Sequence, residues 1–455
     1  MTLRDDKKRR TSTPFLTPYG RIGLIFFLYA ACVALLIQFV VLPYMFPELH
    51  HGQGLMSRGD WNRHHQLAVE LAEKIRTQGW GAWQLRPESQ APAGIAGAIY
   101  ALTVSEPWTL IPLNAALHAL AVLALLRIIQ FFLPDWRRAL WATLPFLVYP
   151  TAMLWYTQLL KDSYSITGFM LFVLGWLFLC GLRNRQNSVS HVIKAIGLVL
   201  AGAFLIWIVR PYMLQMLQAI SAALALILSG MLIYKAVQSS LTWASALLTI
   251  ALSWTMVVGI TPLELPGNLG NGKLFAVELP TEEEIPKIDW QSSAWLPAFI
   301  EKKVYNLAVA REGFIHSYPD AGSNIDNDVI FQNTWDVIAY VPRAIFIALF
   351  EPLPNVWLGQ GNYPSTSVMR RMISFEMVGI YLALLGLPMV LWTWRKHFEL
   401  WVVLAFCGGM MVIYTLAIPN LGTLHRMRYG FLMTLVALGI CGFITVILQH
   451  RQKQT

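Results

Sequence analysis

The chain is built from long apolar blocks separated by shorter polar stretches. Apolar blocks occupy residues 22–42, 108–133, 139–156, 164–182, 196–209, 212–234, 241–260, 375–392, 400–417 and 429–448. A helix needs roughly 20 apolar residues to cross the hydrocarbon core. Inside lipid every backbone N–H and C=O must pair within its own segment, so each block is predicted as a helix. The pattern therefore predicts about ten crossings, and an even number returns the C-terminus to the side of the N-terminus. Lys and Arg collect at one set of block ends: Arg4, Lys7, Lys8, Arg9, Arg10 and Arg21 before the first block, then Arg137 and Arg138, Arg183 and Arg185, Lys194, Lys235, Arg395 and Lys396, and finally Arg451 and Lys453. Basic residues mark cytoplasmic loops, which predicts both termini in the cytoplasm.

Three shorter segments break the rhythm. In residues 61–77, Leu67, Leu71 and Ile75 recur at i, i+4 and i+8 beside Ala68 and Ala72, with Glu70, Glu73, Lys74 and Arg76 on the rest of the circumference. That predicts an amphipathic helix lying on the membrane or on the bundle. Residues 91–104 are apolar but short, and predict a partly embedded outer-face helix. Residues 337–350 are interrupted by Pro342 and Arg343 and followed by Pro352 and Pro354, which predicts an outer-face or re-entrant helix. The longest polar insertion, residues 261–336, contains Glu282, Glu283 and Glu284 and two helix-like pieces. Its acidic balance is compatible with an outer loop, because long loops escape the positive-inside bias.

The expected fold is thus an all-α polytopic membrane protein with outer-face amphipathic helices and one large periplasmic loop. It divides into an N-terminal transmembrane module (1–262, with a first outer loop at 43–107), the large loop (263–336), and an outer-face helix with C-terminal transmembrane helices (337–455). Composition agrees with this division. Of 455 residues, 56% are hydrophobic and 13% charged, and that charged fraction is about half of what a soluble domain carries. The net charge of +9 resides at block ends, where it orients helices and meets anionic lipid, and does not call for nucleic acid. Cys32, Cys180, Cys407 and Cys441 all lie in or beside apolar blocks without a CxxC pair, so they are read as packing residues.

Charges near membrane depth are expensive and so point to function. Asp60, in Gly59-Asp60-Trp61, is a candidate general base if burial raises its pKa, or else a helix N-cap. Lys161 and Asp162, in the tight outer turn at 157–163, can bind and orient a phosphate, or serve as an interfacial anchor and a cap. Arg210, joined to Pro211, offers a planar fork for phosphate oxygens, or snorkels to headgroups. His425, Arg426 and Arg428 precede the last block on the outer face, where they oppose the positive-inside bias. If that segment is helical, Arg426 and Arg428 point in nearly opposite directions and cannot share a ligand; if it is extended, they face the same side. His64 lies four residues after Asp60 and His65 five, but two ligands make a poor metal site and no third is evident. No metal or cofactor is expected.

The order of these features resembles the GT-C superfamily of integral-membrane glycosyltransferases, nearest to the bacterial family-39-like proteins. The residues that carry the resemblance are Gly59-Asp60 in a first outer loop, the short apolar helix at 91–104, and a span beginning near Pro112-Leu113-Asn114. The turn from Pro150 to Asp162, Arg210-Pro211, the large loop after the seventh block, and Asn420-Leu421-Gly422-Thr423 with Arg426 and Arg428 complete it. The resemblance implies a polyprenyl-phosphate-linked sugar donor, a glycan, lipid or protein acceptor, and a place in the bacterial inner (plasma) membrane. It implies Asp60 as catalytic base with Asp162 as a second acid. It implies lipid-phosphate binding by basic residues near the outer membrane face, which points to Lys161, Arg210, Arg426 and Arg428 without deciding among them. Family members often pair two acids in the first loop, whereas here Trp61 follows Asp60. Two alternatives stand beside single-sugar transfer: a polymerase or ligase of lipid-linked glycan units, and a transporter or flippase of a lipid-linked substrate.

Overall fold

The computed structural model describes residues 18–57, 59–181, 189–238, 241–263, 288–361 and 364–452. Arg4, Lys7, Lys8, Arg9, Arg10, Arg58, Arg183, Arg185, the acidic run Glu282, Glu283 and Glu284, and Lys453 lie outside the described residues. Helix α1 (Pro18–Leu36) is prolonged by a π-helical stretch, Ile37–Met45, around Pro43. A small hairpin follows, β1 (His50–Gly52) with β2 (Leu55–Met56). Then come α2 (Asp60–Gln78), α3 (Ala91–Leu102), α4 (Ile111–Ile129), α5 (Trp136–Val148), α6 (Pro150–Thr157), α7 (Asp162–Gly181), α8 (Val189–Val209), α9 (Pro211–Val237) and α10 (Trp243–Gly259). The C-terminal part holds α11 (Ala298–Ser317), α12 (Thr334–Phe350), α13 (Pro364–Leu384), α14 (Leu387–Trp394), α15 (Phe398–Ala417) and α16 (Leu421–Gln452).

Among the described residues, eight helices are long and apolar enough to cross a membrane. The chain is a helical protein of multi-pass character. Two of the expected crossings take a different form. The block at 139–156 is not one helix: Tyr149 is extended at φ −64° and ψ 133°, and the chain restarts as α6 at Pro150. Proline has no N–H to continue a helix and disfavours the α conformation in the residue before it. The block at 241–260 forms α10, which has 17 residues and falls short of those eight. The last helix differs in the other direction. It begins at Leu421, so the segment expected as an outer loop up to Arg428 is its first two turns.

Close helix packing depends on small residues. A side chain on Gly202 of α8 would overlap the carbonyl of Gly168 on α7, and one on Gly386, between α13 and α14, would overlap the carbonyl of Gly439 on α16. Backbones can approach this closely only where a Cβ is missing, as membrane helices often do. The face of α2 formed by Trp61, His64, Ala68, Leu71, Ala72 and Ile75 is buried, and Leu71 packs against Gly97 of α3. Helix α2 therefore rests on the bundle, one of the two placements its pattern allows.

The described part of the large insertion contains one helix, α11, where two helix-like pieces were expected. It is ordered around Arg311, which is buried, donates to the carbonyls of Val329 (3.2 Å) and Asp326 (2.8 Å), and lies over the rings of Phe331 and Tyr340. The insertion also grips the start of α16. Ile325 N–H donates to Pro419 O (3.0 Å), Leu421 N–H to Ser323 O (2.8 Å), and the Asn420 amide to Ser323 Oγ (2.9 Å) and Asn324 Oδ1 (2.8 Å). Asn420 Oδ1 accepts from Thr423 N–H at 3.0 Å, so the same side chain caps α16.

Candidate functional site

The loop between α6 and α7 is pinned from several directions. Gln38 donates to Thr157 O (2.7 Å), Met56 N–H donates to Gln158 Oε1 (3.1 Å), and Gln158 donates back to Gly54 O (3.2 Å). His64 Nδ1 donates to Leu159 O (2.7 Å), and its Nε2 meets the Gln90 side-chain amide at 3.0 Å. Burial holds the His64 pKa below its ordinary value. His64 is thus a fastener between α2 and this loop. His65 bonds the Tyr100 hydroxyl (3.0 Å). Among the described residues no group of three or more His, Cys, Asp or Glu is arranged to hold a metal ion.

The fastening sets Asp60 beside the start of α7. Gly59, not Asp60, is the N-cap of α2, and no side chain caps that end. The Trp61 ring lies so close over Gly59 that a Cβ there would collide with it, while its indole N–H donates to Met56 O at 2.5 Å. Asp60, the first residue of the helix, is left to face Arg426. Trp61, which stands where a second acid is common in the family resembled, is a packing residue here.

Four charged side chains form an alternating chain. Arg426 donates to Asp60 Oδ2 at 2.8 Å. On its other side, Arg426 Nε lies 3.2 Å from Asp162 Oδ2, an ion pair without hydrogen-bond alignment. Asp162 Oδ1 accepts from Arg210 at 2.8 Å, and Arg210 also donates to Ser165 Oγ at 2.8 Å. Ser165 is three residues after Asp162 and so lies on the same helix face. Tyr212 and Tyr414 stand beside Arg210. The chain grades from buried to open: the Asp162 side chain is 0% exposed and that of Asp60 is 55% exposed.

Lys161 adjoins all four of these groups. It is half-buried, its carbonyl accepts from Ser165 N–H (3.1 Å), and its side chain has no ion pair or hydrogen bond among the described residues. Three cations, Lys161, Arg210 and Arg426, thus face two carboxylates, Asp60 and Asp162, and the uncompensated positive charge sits on Lys161. Burial first, and then the repulsion of Arg210, bring the Lys161 pKa down to about 8. For Asp60 a base role is conditional on a pKa raised by burial. Burial does push it up, but the charge and hydrogen bond of Arg426, with Lys161 adding, outweigh that push and hold it below its ordinary value. As it stands, Asp60 is a weakened base.

Arg428 and His425 do not join this group. Arg428 is buried and donates to the carbonyls of Ile347, Ala348 (2.7 Å) and Glu351, the last turn of α12. Ile347 O also accepts from Glu351 N–H (3.1 Å), so the guanidinium is a second donor there and supplies Ala348 O and Glu351 O at the helix end. His425 is buried against the rings of Trp155 and Tyr429. Glu376 went unnoticed in the sequence. It is 1% exposed, and Oε1 accepts from Thr151 N–H (2.6 Å), capping α6 inside the bundle. Its signal was a lone acid in the block at 375–392.

No family model matches the chain, and neither a curated protein nor a solved structure does.

Proposed function

We propose that this protein is a membrane glycosyltransferase that moves a sugar from a polyprenyl-phosphate-linked donor to a glycan, lipid or protein acceptor at the periplasmic face of the bacterial inner membrane. In this reading the chain makes about ten crossings, with α5–α6 and α10 as the two short ones, and Asp60, Lys161, Asp162, Arg210 and Arg426 belong to that face. The observation that carries the reading is the charge chain itself. An unpaired lysine beside two arginines suits an anionic group, and the half-open Asp60 next to it suits a hydroxyl that must lose a proton.

In this reading the donor phosphate takes Lys161 and Arg426 as its cations, and Arg210 with Asp162 holds Arg426 in place from behind. Transfer of Arg426 to the phosphate removes the partner that lowers the Asp60 pKa, so donor binding strengthens the base. The exchange is cheap, because an exposed ion pair contributes about 0–1 kcal/mol. Asp60 then accepts the proton of the acceptor hydroxyl as its oxygen bonds the anomeric carbon. The bond from that carbon to the phosphate oxygen breaks, and the electron pair leaves with the phosphate, whose growing charge Lys161 and Arg426 stabilise. A single displacement inverts the anomeric centre. The leaving phosphate needs no proton, so a second glycosidase-type carboxyl acid is unnecessary.

The test supplies purified protein in nanodiscs with radiolabelled polyprenyl-phosphate-mannose and polyprenyl-phosphate-glucose and a membrane glycan extract. Transfer that Lys161→Ala and Arg426→Ala abolish supports the reading. Movement of the intact lipid between leaflets, with no glycosyl product, would favour the transporter reading. Glu376, a carboxyl buried inside the bundle, is the observation on that side, since buried membrane acids mark ion and substrate pathways. Product length on a gel separates single transfer from polymerisation or ligation.

A further inference from the structure

The step from α8 to α9 breaks at Arg210-Pro211. Pro211 has no N–H, so the carbonyl of Trp207 lacks the donor that a continuous helix supplies from four residues on. Arg210 is non-helical, at φ −145° and ψ 68°. Among the described residues no backbone N–H donates to Ile208 O either. Two helix-end carbonyls are thus left open beside Arg210, which is itself 3% exposed.

Arg86, in the first outer loop, fills both. It is 5% exposed. Its Nε donates to Ile208 O at 2.8 Å, and its Nη2 donates to Trp207 O. The guanidinium also lies over the Trp207 ring, 4.9 Å from the ring centre. That indole is held in turn by its own N–H bond to Leu263 O (2.8 Å). A planar fork reaches two neighbouring carbonyls at once, which a lysine ammonium on a flexible stem does not.

The loop that carries Arg86 is braced on α2 and α3. Trp83 Nε1 donates to Gly94 O (3.0 Å), and Leu85 O lies so close to Gly94 that a Cβ there would overlap it. Arg63 of α2 pairs with Glu88 at 2.9 Å. Four residues after Arg86, Gln90 meets His64, which holds Leu159 O. Residues 86–90 therefore grip both sides of the charge chain. Arg86 holds the backbone two residues before Arg210, and Gln90, through His64, holds the backbone two residues before Lys161.

We propose that Arg86 is a positioning residue for Arg210: it holds the end of α8 so that the Arg210 side chain meets Asp162 and stays beside Lys161. Arg86 acts through the backbone of α8. The proposal concerns the geometry of the charge chain and holds whether or not that chain takes a sugar donor.

The experiment follows Lys161, because its protonation reports where Arg210 stands. If Arg210 leaves its place, its repulsion is lost and Asp162 is freed to attract the lysine. Both changes raise the Lys161 pKa. Full-length protein in nanodiscs is pulse-labelled with acetic anhydride across a pH series. Acetylation of Lys161 is read by mass spectrometry against the exposed Lys74. The neutral amine is the form that reacts, so the series gives the midpoint without any lipid donor. The unaltered protein should show a midpoint of about 8. Arg86→Lys keeps the charge and loses the fork. It should raise the midpoint by about one unit, which lowers the neutral fraction at pH 8 about fivefold. Arg86→Ala should raise it further, and if that variant does not fold, Arg86→Lys decides alone. A midpoint unchanged in folded Arg86→Lys would overturn the proposal even if the melting temperature falls, because Arg86 would then be a helix cap and nothing more. A lowered midpoint would overturn it as well. So would a midpoint at the ordinary lysine value in the unaltered protein, since Arg210 would then not act on Lys161.

Discussion

Arg426 and Arg428 stand two residues apart on α16 and serve opposite sides of it. Arg426 reaches Asp60 and Asp162, whereas Arg428 reaches the last carbonyls of α12. Side chains at that spacing on a helix cannot face the same ligand, so substitution should separate a binding role from a structural one. Arg428→Ala strands the carbonyls of Ala348 and Glu351, while Ile347 keeps the Glu351 N–H, and should destabilise the protein by on the order of 2 kcal/mol or more. Arg426→Ala should cost less, since its bond to Asp60 is open to water and the buried Asp162 keeps its pair with Arg210. Thermal unfolding of the two variants in one detergent checks this, and equal losses would contradict it.

Asp162 and Arg210 form the buried root of the site. Removing one member leaves an uncompensated charge, at about 3–5 kcal/mol. Asp162→Asn and Arg210→Gln should each lose stability on that scale, while the double variant should recover part of it. A double-mutant cycle by chemical denaturation gives the coupling directly, and additive losses would mean the pair is not coupled.

Asp60→Asn should separate binding from turnover. Loss of the carboxylate removes a base that supplies roughly 100- to 10,000-fold. It also frees Arg426, so a polyprenyl phosphate should bind at least as tightly as to the unaltered protein. Native mass spectrometry for binding and radiolabel transfer for turnover give the two readouts. Weaker binding with retained turnover would place Asp60 in a different role.

The Lys161 pKa of about 8 sets a pH window. A bound anion raises that pKa, so the protonated lysine is the binding form. Affinity should be full below pH 8 and decline above it, by up to about tenfold per unit. A phosphodiester lipid is the suitable probe, because its single charge does not titrate there. Lys161→Arg should give a flat profile with affinity kept, and Lys161→Ala a flat profile with affinity lost. An unchanged decline in Lys161→Ala would assign the titration to another group.

Much of the helix layout could be read from hydrophobic blocks, since the cost of unpaired backbone groups in lipid leaves helices few alternatives. The amphipathic pattern of residues 61–77 located α2, and the prolines around residues 337–354 marked α12 as unlike the other apolar blocks. The break at Pro150 was a local signal overridden by the apolar count. Within the site, the cost of charge singled out Asp60, Lys161, Asp162, Arg210 and Arg426. The same argument swept in Arg428 and His425, because cost does not tell a cation that binds a ligand from one that caps a helix. That distinction rests on partners far apart in sequence, as with Arg428 and Ile347 or Arg426 and Asp60. The sign of the Asp60 shift was illegible for the same reason, since it depends on Arg426.

The most direct measurement is a structure of the protein in nanodiscs with a non-hydrolysable polyprenyl-phosphate-sugar analogue. The phosphate should lie within hydrogen-bonding distance of Lys161 Nζ and the Arg426 guanidinium, with Arg426 withdrawn from Asp60 and the Asp60 carboxylate facing the anomeric carbon. A phosphate bound away from Lys161, with the Asp60–Arg426 pair intact, would contradict the proposed site.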